Sequence, residues 1–240
     1  MKKPSKKDVA FLAVIVVLVA AVATFSALWG VAYQKEKESE VYYNQKCAAF
    51  RLDNKHLSQG QIVFIGDSIT DYYPLDDFYA DLSLSVYNRG IGGDTTSGLL
   101  KRLDLSLFAL KPTKVSLLIG INDIDTDVPN ETLLANYKKI LDEIKAKLPD
   151  AEVFCLSILP VNEDIARYKI NCERTTQRVP VVNSAIQTLA EAHGYHFVNL
   201  YPLFDDGSHH LVKEYAAGDG LHLSHAGYEV WSAAFKPMLQ

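Results

Sequence analysis

The stretch QIVFIGDS, residues 61–68, carries a pattern that recurs through most of this chain. Its first part is mostly apolar and ends at Gly66, and Asp67 and Ser68 follow directly. A near-continuous run of Val, Ile and Phe is typical of a strand that is buried on both faces of a parallel sheet. The stretch therefore predicts a buried strand whose carboxyl end presents a polar turn with a serine.

Four similar apolar runs follow, and helix-length segments lie between them. The runs are LSVYNRG (84–90), KVSLLIG (114–120), EVFCLSIL (152–159) and HFVNL (196–200), and the helical segments cover residues 96–110, 130–148, 181–193 and 226–239. Strands that alternate with helices indicate a parallel sheet covered by helices on both faces. We therefore expect one α/β domain over residues 60–240.

Polar, glycine-bearing clusters follow the first three runs, and a fourth cluster precedes the last helix. They read GDS (66–68), GIGGD (90–94), GIND (120–123) and DGLH (219–222). Each alone is equally typical of an ordinary turn. Ligands of such sheets bind at the carboxyl ends of the strands, so we expect the clusters to converge on one rim.

Together the clusters contain what acyl transfer needs. A serine nucleophile requires a histidine base, and the histidine requires an acceptor that orients its other nitrogen. Ser68, His222 and Asp219 fit these roles, because the three-residue spacing lets Asp219 fold back onto Nδ1 of His222. The oxyanion also requires preorganised donors. We expect these from the backbone N–H groups of Ser68 and Gly93 and from the side-chain amide of Asn122.

These clusters resemble the four blocks of the SGNH (GDSL-like) hydrolase family, in the family's order. The strings NRGIGGDT (88–95) and DGLHLSHAGY (219–228) are similar to its bacterial esterases and to its platelet-activating-factor acetylhydrolase-like branch. The first block reads Gly-Asp-Ser-Ile where the family name has leucine. The resemblance implies a three-layer α/β/α, flavodoxin-like fold, and ester hydrolysis through an acyl-serine without a cofactor.

Residues 9–33 carry no charged side chain, and four lysines precede them (Lys2, Lys3, Lys6 and Lys7). As a helix this segment would be roughly 37 Å long, against a membrane core of about 30 Å. The positive-inside bias predicts a cytoplasmic segment 1–8, a single transmembrane anchor 9–33 and a catalytic domain outside the cell membrane. The alternative is a signal peptide cleaved after the AVA sequence at 21–23, with a secreted domain.

Residues 34–59 are charged and then helix-like, which predicts a juxtamembrane stalk or helix that docks on the domain and ends at Gly60. Residues 160–180 are polar and predict either a solvated helix or a lid. Among the three cysteines, Cys155 lies in an apolar run, and Cys47 and Cys172 could form a disulfide in an oxidising compartment. Oligomeric state is left open by the sequence.

The net charge and the motifs exclude several other functional classes of protein. The net charge of −5 lacks the basic excess of nucleic-acid-binding proteins. No phosphate-binding loop or complete dinucleotide fingerprint occurs. A metal site could be drawn from Asp219, His222 and His225, but it would leave Ser68 and Asn122 unexplained, so we expect no metal.

The substrate class is the open part of the interpretation. Short acyl esters, such as acetyl groups on sugars or cell-wall glycans, suit an enzyme outside the membrane. A lysophospholipid substrate and transfer of the acyl group to a sugar alcohol are alternatives on the same site. A surface-anchored binding module without activity is the alternative from another class.

Overall fold

The computed structural model describes the backbone of residues 6–162 and 172–240, and the side chains of residues 15, 17–162 and 175–240. The chain divides into two compact units, Met1–Asn44 and Gln45–Gln240. One helix, α1 (Lys6–Asp53), supplies the described part of the first unit and continues into the second.

The apolar part of α1 is long and apolar enough to cross a membrane, a test that a signal sequence also meets. Phe25 and Trp29 in this part of the helix expose 72% and 65% of their surface. Helix α1 ends at Asp53, so the prediction that it continues to Gly60 was wrong. Residues from Gln45 onward, which the sequence assigned to the stalk, belong to the second unit.

The second unit is built on a five-stranded sheet in which every pairing is parallel, as predicted. The strands are β1 (Ile62–Gly66), β2 (Val86–Gly90), β3 (Lys114–Leu118), β4 (Glu152–Leu156) and β5 (His196–Val198). Their order, β2-β1-β3-β4-β5, is that of flavodoxin-like sheets, whose ligand crevice lies between β1 and β3. Gly66 is in register with Gly90 and Leu118, so the three strands end at the same level.

Helices cover the sheet on both faces. They are α2 (Ser68–Asp71), α3 (Leu75–Tyr79), α4 (Thr96–Leu100), α5 (Leu103–Ser106), α6 (Ile121–Asp125), α7 (Asn130–Lys147), α8 (Cys172–His193), α9 (Tyr201–Phe204) and α10 (His225–Phe235). Helices α4, α7 and α8 pack in succession, whereas α3 packs on α10. Right-handed crossovers on this strand order place the two sets on opposite faces. The result is the expected three-layer α/β/α domain.

Three predicted helices differ from the observed ones. Segment 96–110 is divided into α4, α5 and a short 3₁₀ turn, because the chain bends at Arg102 to bury its guanidinium group. Helix α8 begins before the predicted residue 181 and contains Pro180. The last helix ends at Phe235, and a 3₁₀ turn follows. Residues 163–171 of the proposed lid, and the side chain of Cys172 in the proposed disulfide, lie outside the described residues.

The guanidinium group of Arg102 links the ends of two strands. Its Nη2 donates to the carbonyl oxygen of Gly66 at 2.8 Å, and Nη1 donates to that of Arg89 at 2.8 Å. Nε donates to Oδ2 of Asp94 at 2.7 Å. The side chains of this ion pair are only 1% and 2% exposed. Removing one partner would therefore leave the other charge buried and uncompensated.

We predict that Arg102→Met lowers the free energy of unfolding by about 3–5 kcal/mol, the usual cost of breaking a buried ion pair from one side. Urea unfolding of the purified protein measures it. The matched control is Lys147→Met, because both ion-pair partners of Lys147 are exposed, Asp104 by 86% and Glu143 by 44%; it should cost less than about 1 kcal/mol. Equal losses for the two variants would contradict this role for Arg102.

Asp67 begins α2 as its N-cap, and its carboxyl group is fully buried. Oδ1 accepts a hydrogen bond from the backbone N–H of Ile69 at 3.0 Å, whereas Oδ2 has no partner among the described residues. Burial raises the pKa of Asp67 to about 8, and the charges of Asp94 and Asp123 add to this effect. The hydrogen bond from Ile69 and the charge of Arg102 oppose it. Asp67 is therefore protonated at neutral pH in the folded protein.

This pKa shift makes stability depend on pH. Between the unfolded value of about 4 and about 8, the folded protein binds the proton more tightly, so stability falls as pH rises. Asp67→Asn removes this titration. We predict that the stability of Asp67→Asn relative to the natural protein increases from pH 5 to pH 8, by up to about 1.4 kcal/mol per pH unit. Urea unfolding at both pH values measures it, and a difference independent of pH would refute the buried, protonated state.

Candidate active site

Ser68 is the first residue of α2, directly after β1 and its capping residue Asp67. The side chain of Asp67 accepts from Ile69 N and starts the helix at this point. The hydroxyl group of Tyr228 in α10 donates to the carbonyl oxygen of Ile69 at 2.8 Å. These two contacts fix the short helix, and with it the serine, at the carboxyl end of the central strand.

His222 lies in the loop before α10 and points at the serine. Its Nε2 is 2.8 Å from Oγ of Ser68, and its Nδ1 is 2.6 Å from Oδ2 of Asp219. Oδ1 of Asp219 accepts from the backbone N–H groups of Leu221 and His222, both at 3.0 Å. The structure thus brings together the three residues that the sequence nominated, although His222 and Ser68 are far apart in the chain.

The carboxylate of Asp219 is held in its ionised form. Burial opposes ionisation, but hydrogen bonds from the His222 ring and from the backbone N–H groups of His222 and Leu221 outweigh it and lower the pKa of Asp219. An ionised carboxylate at Nδ1 favours the tautomer that carries its proton on this nitrogen. Nε2 is then an acceptor for the hydroxyl proton of Ser68.

Gly93 lies in a tight turn after β2. The N–H of Asp94 donates to the carbonyl oxygen of Ile91 at 3.1 Å, and Gly93 between them has a φ of +77°. This left-handed conformation favours glycine. Within the part of the chain that the structure describes, no hydrogen-bond acceptor is found for the backbone N–H of Gly93 or of Ser68.

Asn122 is the third expected donor, and it is attached to the Gly93 turn. Its Nδ2 donates to the carbonyl oxygen of Asp94 at 2.8 Å. An amide nitrogen carries two hydrogens, so this bond orients the group and leaves one donor. Asn122 follows Gly120, whose φ of +131° turns the chain from β3 into α6.

Sequence reasoning missed several residues that support the site. The ring of Tyr72 lies 4.9 Å from that of His222, and Tyr72 is 53% exposed. The carboxylate of Asp123 accepts from Thr96 N at 2.9 Å and from Thr96 Oγ1 at 2.6 Å. Arg102 lies within a predicted helical segment, and the sequence did not indicate that its side chain is buried. Nothing in the local sequence distinguishes these residues, since their roles come from contacts between separate loops.

The structure places His225 apart from the Asp219–His222 pair. Its Nε2 is 3.5 Å from Oδ2 of Asp77, and its ring lies against Phe78. Ser224 caps α10, with Oγ accepting from Gly227 N at 3.2 Å. Among the described residues, no group of three or more His, Cys, Asp or Glu side chains could hold a metal ion.

Comparisons with known proteins agree with this geometry. The model of the GDSL-like Lipase/Acylhydrolase family matches residues 64–230. Platelet-activating factor acetylhydrolase IB subunit alpha1 of Rattus norvegicus is 30% identical over 186 residues, 75% of this chain and 74% of that protein. Acetylxylan esterase of Geobacillus stearothermophilus is 28% identical over 206 residues, 73% of this chain and 91% of that protein.

A solved structure shows the same similarity at the level of the fold. A Streptococcus pneumonia protein, described as a candidate platelet activating factor, superposes with a TM-score of 0.81 and 36% identity. The match covers 88% of this chain and 98% of that chain. The chain therefore belongs to the GDSL-like lipase/acylhydrolase family, the SGNH hydrolases, and is a serine-dependent ester hydrolase.

Proposed function

We propose that this protein is a membrane-anchored esterase that acts outside the cytoplasm and removes short acyl groups, such as acetyl, through an acyl-serine. The observation that carries the chemistry is the 2.8 Å contact between Nε2 of His222 and Oγ of Ser68. Two relatives, an acetylhydrolase and an acetylxylan esterase, are named for acetyl esters, which supports a short acyl group.

The first half of the reaction forms the acyl-enzyme. Oγ of Ser68 attacks the ester carbonyl carbon while Nε2 of His222 takes the hydroxyl proton. Asp219 stabilises the imidazolium that results. The oxyanion accepts hydrogen bonds from the N–H groups of Ser68 and Gly93 and from the amide of Asn122. Collapse breaks the ester bond, and His222 returns the proton to the leaving alcohol.

Water completes the cycle. His222 accepts a proton from a water molecule, and the water oxygen attacks the carbonyl carbon of the acyl group bound to Ser68. The second oxyanion that forms accepts hydrogen bonds from the same donors. When this intermediate collapses, the bond between the acyl carbon and Oγ breaks, His222 returns the proton to Oγ, and the carboxylic acid is released. If a sugar alcohol took the place of water, the same steps would transfer the acyl group rather than hydrolyse it.

The membrane part of the proposal is supported by the N-terminal sequence and by α1. Four lysines precede an uncharged segment, 9–33, and α1 continues through it without a break. Trp29 and Tyr33 stack at 5.8 Å near the far end of this segment, and such rings favour the membrane–water interface. In this arrangement residues 1–8 face the cytoplasm and the esterase lies outside.

Labelling by a fluorophosphonate probe tests the nucleophile. We predict that the probe modifies Ser68, that Ser68→Ala abolishes labelling and turnover, and that Ser83→Ala, at an exposed site, changes neither. Asp219→Asn should fold but lose most of its activity, because the His222 tautomer is no longer fixed. An unlabelled, inactive natural protein would favour the binding-module alternative.

Substrate chain length is measured on p-nitrophenyl esters. We predict that the acetate ester is hydrolysed faster than esters of longer acyl chains. When a sugar alcohol is added, the product shows whether the acyl group is hydrolysed or transferred: free acid indicates hydrolysis, and an acylated sugar indicates transfer. A preference for long acyl chains, with turnover of lysophospholipid, would replace the short-acyl proposal.

Asn122→Ala tests the oxyanion donors. The amide is needed when negative charge develops on the oxyanion, so we predict that kcat falls by about 10²–10³ while KM changes little. Gln187→Ala is a control, because this exposed amide donates to Glu191 Oε1 on the surface of α8 instead. Normal turnover in Asn122→Ala would remove Asn122 from the oxyanion site.

Reporter fusions test the topology. A reporter that is active only outside the cytoplasm, fused after Gln240, should be active because the four lysines hold the N-terminus inside. Activity of only a cytoplasmic reporter would reverse the orientation. Mass spectrometry of the mature N-terminus then separates an intact anchor from a chain cleaved after residue 23.

A further inference from the structure

We propose that Lys46 is a positioning residue of this esterase, acting through Asp71 on the turn that carries Gly93. The inference rests on the proposed function, since Gly93 matters only if its N–H stabilises an oxyanion. Lys46 belongs to the part of α1 that lies in the second unit, outside the residues matched by the family model. The structure assigns it a place in the active-site scaffold.

The link consists of two consecutive contacts. Nζ of Lys46 is 2.6 Å from Oδ1 of Asp71, and Oδ2 of Asp71 accepts from the backbone N–H of Gly92 at 2.9 Å. Gly92 is the residue before Gly93. The Asp71 carboxylate thus binds Lys46 of α1 with one oxygen and the backbone of the Gly93 turn with the other.

The end of α1 is packed firmly enough to serve as a support. Phe50, one helical turn after Lys46, is 3% exposed. Nζ of Lys46 lies 5.4 Å from the centre of the Phe50 ring, and the guanidinium of Arg89 lies 4.5 Å from it. Nη1 of Arg89 is also 3.6 Å from Oδ2 of Asp53 in α1. These contacts join α1 to β2, the strand that leads into the Gly93 turn.

The charge of Lys46 has a second effect. Asp71 is the last residue of α2, which begins at Ser68, and its side chain is only 4% exposed. Without Lys46 nearby, the negative charge of the Asp71 carboxylate at the Gly92 N–H would repel the negative charge that develops on the oxyanion more strongly. Lys46 neutralises this carboxylate while keeping it in place. Loss of Lys46 should therefore slow the chemical step more than it weakens substrate binding.

The experiment uses the full chain in detergent micelles. Lys46→Met, Lys46→Arg, Asp71→Asn and the double variant Lys46→Met/Asp71→Asn are compared with the natural protein. The control is Lys138→Met, which breaks an ion pair with Asp142 whose side chains are 55% and 48% exposed. The readouts are kcat and KM on p-nitrophenyl acetate, the rate of fluorophosphonate labelling, and amide hydrogen exchange of peptides that contain Gly92 and Gly93.

We expect Lys46→Met to lower kcat by about 10-fold, less than the 10²–10³ of a deleted oxyanion donor, with KM little changed. Exchange at Gly92 and Gly93 should become faster. Lys46→Arg should restore kcat and slow exchange, because it keeps the charge. The double variant should be more active than Lys46→Met, because the amide oxygen introduced by Asp71→Asn can still accept from the Gly92 N–H and carries no charge. Lys138→Met should change nothing.

Two results would overturn the proposal. In one, Lys46→Met leaves kcat and the exchange of Gly92 and Gly93 unchanged. In the other, Lys46→Arg is as impaired as Lys46→Met, which would assign the effect to packing. Failure of the proposed function is a separate result: no labelling and no turnover in the natural protein overturn the esterase, whereas faster exchange in Lys46→Met would still support the link to the turn.

Discussion

The buried guanidinium group of Arg102 is the contact on which the arrangement of the active site depends. It binds the carbonyl oxygens at the ends of β1 and β2 and the carboxylate of Asp94. The carbonyl oxygen of Asp94 in turn accepts from Asn122 at the end of β3. One cation therefore connects three strand ends, and the backbone groups that leave the sheet at this edge obtain partners without water.

The parallel sheet explains why a serine, a glycine, an asparagine and a histidine from separate parts of the chain can form one site. Gly66, Gly90 and Leu118 lie in register, so the turns that follow them leave the sheet at one level. The loop with Asp219 and His222 reaches the same edge, with Nε2 of His222 at hydrogen-bond distance from Ser68. This convergence brings the proposed nucleophile, base and oxyanion donors to one edge of the sheet.

The buried carboxyl groups next to the site lower the stability of the folded protein when they ionise. Burial raises the pKa of Asp67, Asp94 and Asp123, and hydrogen bonds and the charge of Arg102 oppose the shift at Asp94. Asp219, beside His222, has a lowered pKa because the His222 ring and backbone N–H groups bind it. The buried carboxyl groups that bind the turns thus have raised pKa values, whereas the carboxyl group that binds the histidine has a lowered one.

The sequence by itself determined the α/β class, the five strands and the nominated site residues. The spacing and composition of apolar residues indicate which segments are buried, and three of the four polar clusters follow strands whose ends a parallel sheet brings together. Asp219 and His222 could be paired from their spacing alone, because three residues in a loop leave few geometries.

Only the tertiary structure decided what supports those residues. Arg102 read as part of a helix, yet the helix is broken there so that its side chain can reach two strand ends. Lys46 read as part of a charged stalk, yet it binds Asp71 beside the Gly93 turn. Both interactions join residues distant in sequence, and an ion pair of this kind has no periodicity. The packing of α1 and of the strand ends decides which groups form such an ion pair, and no local pattern of residues reports that packing.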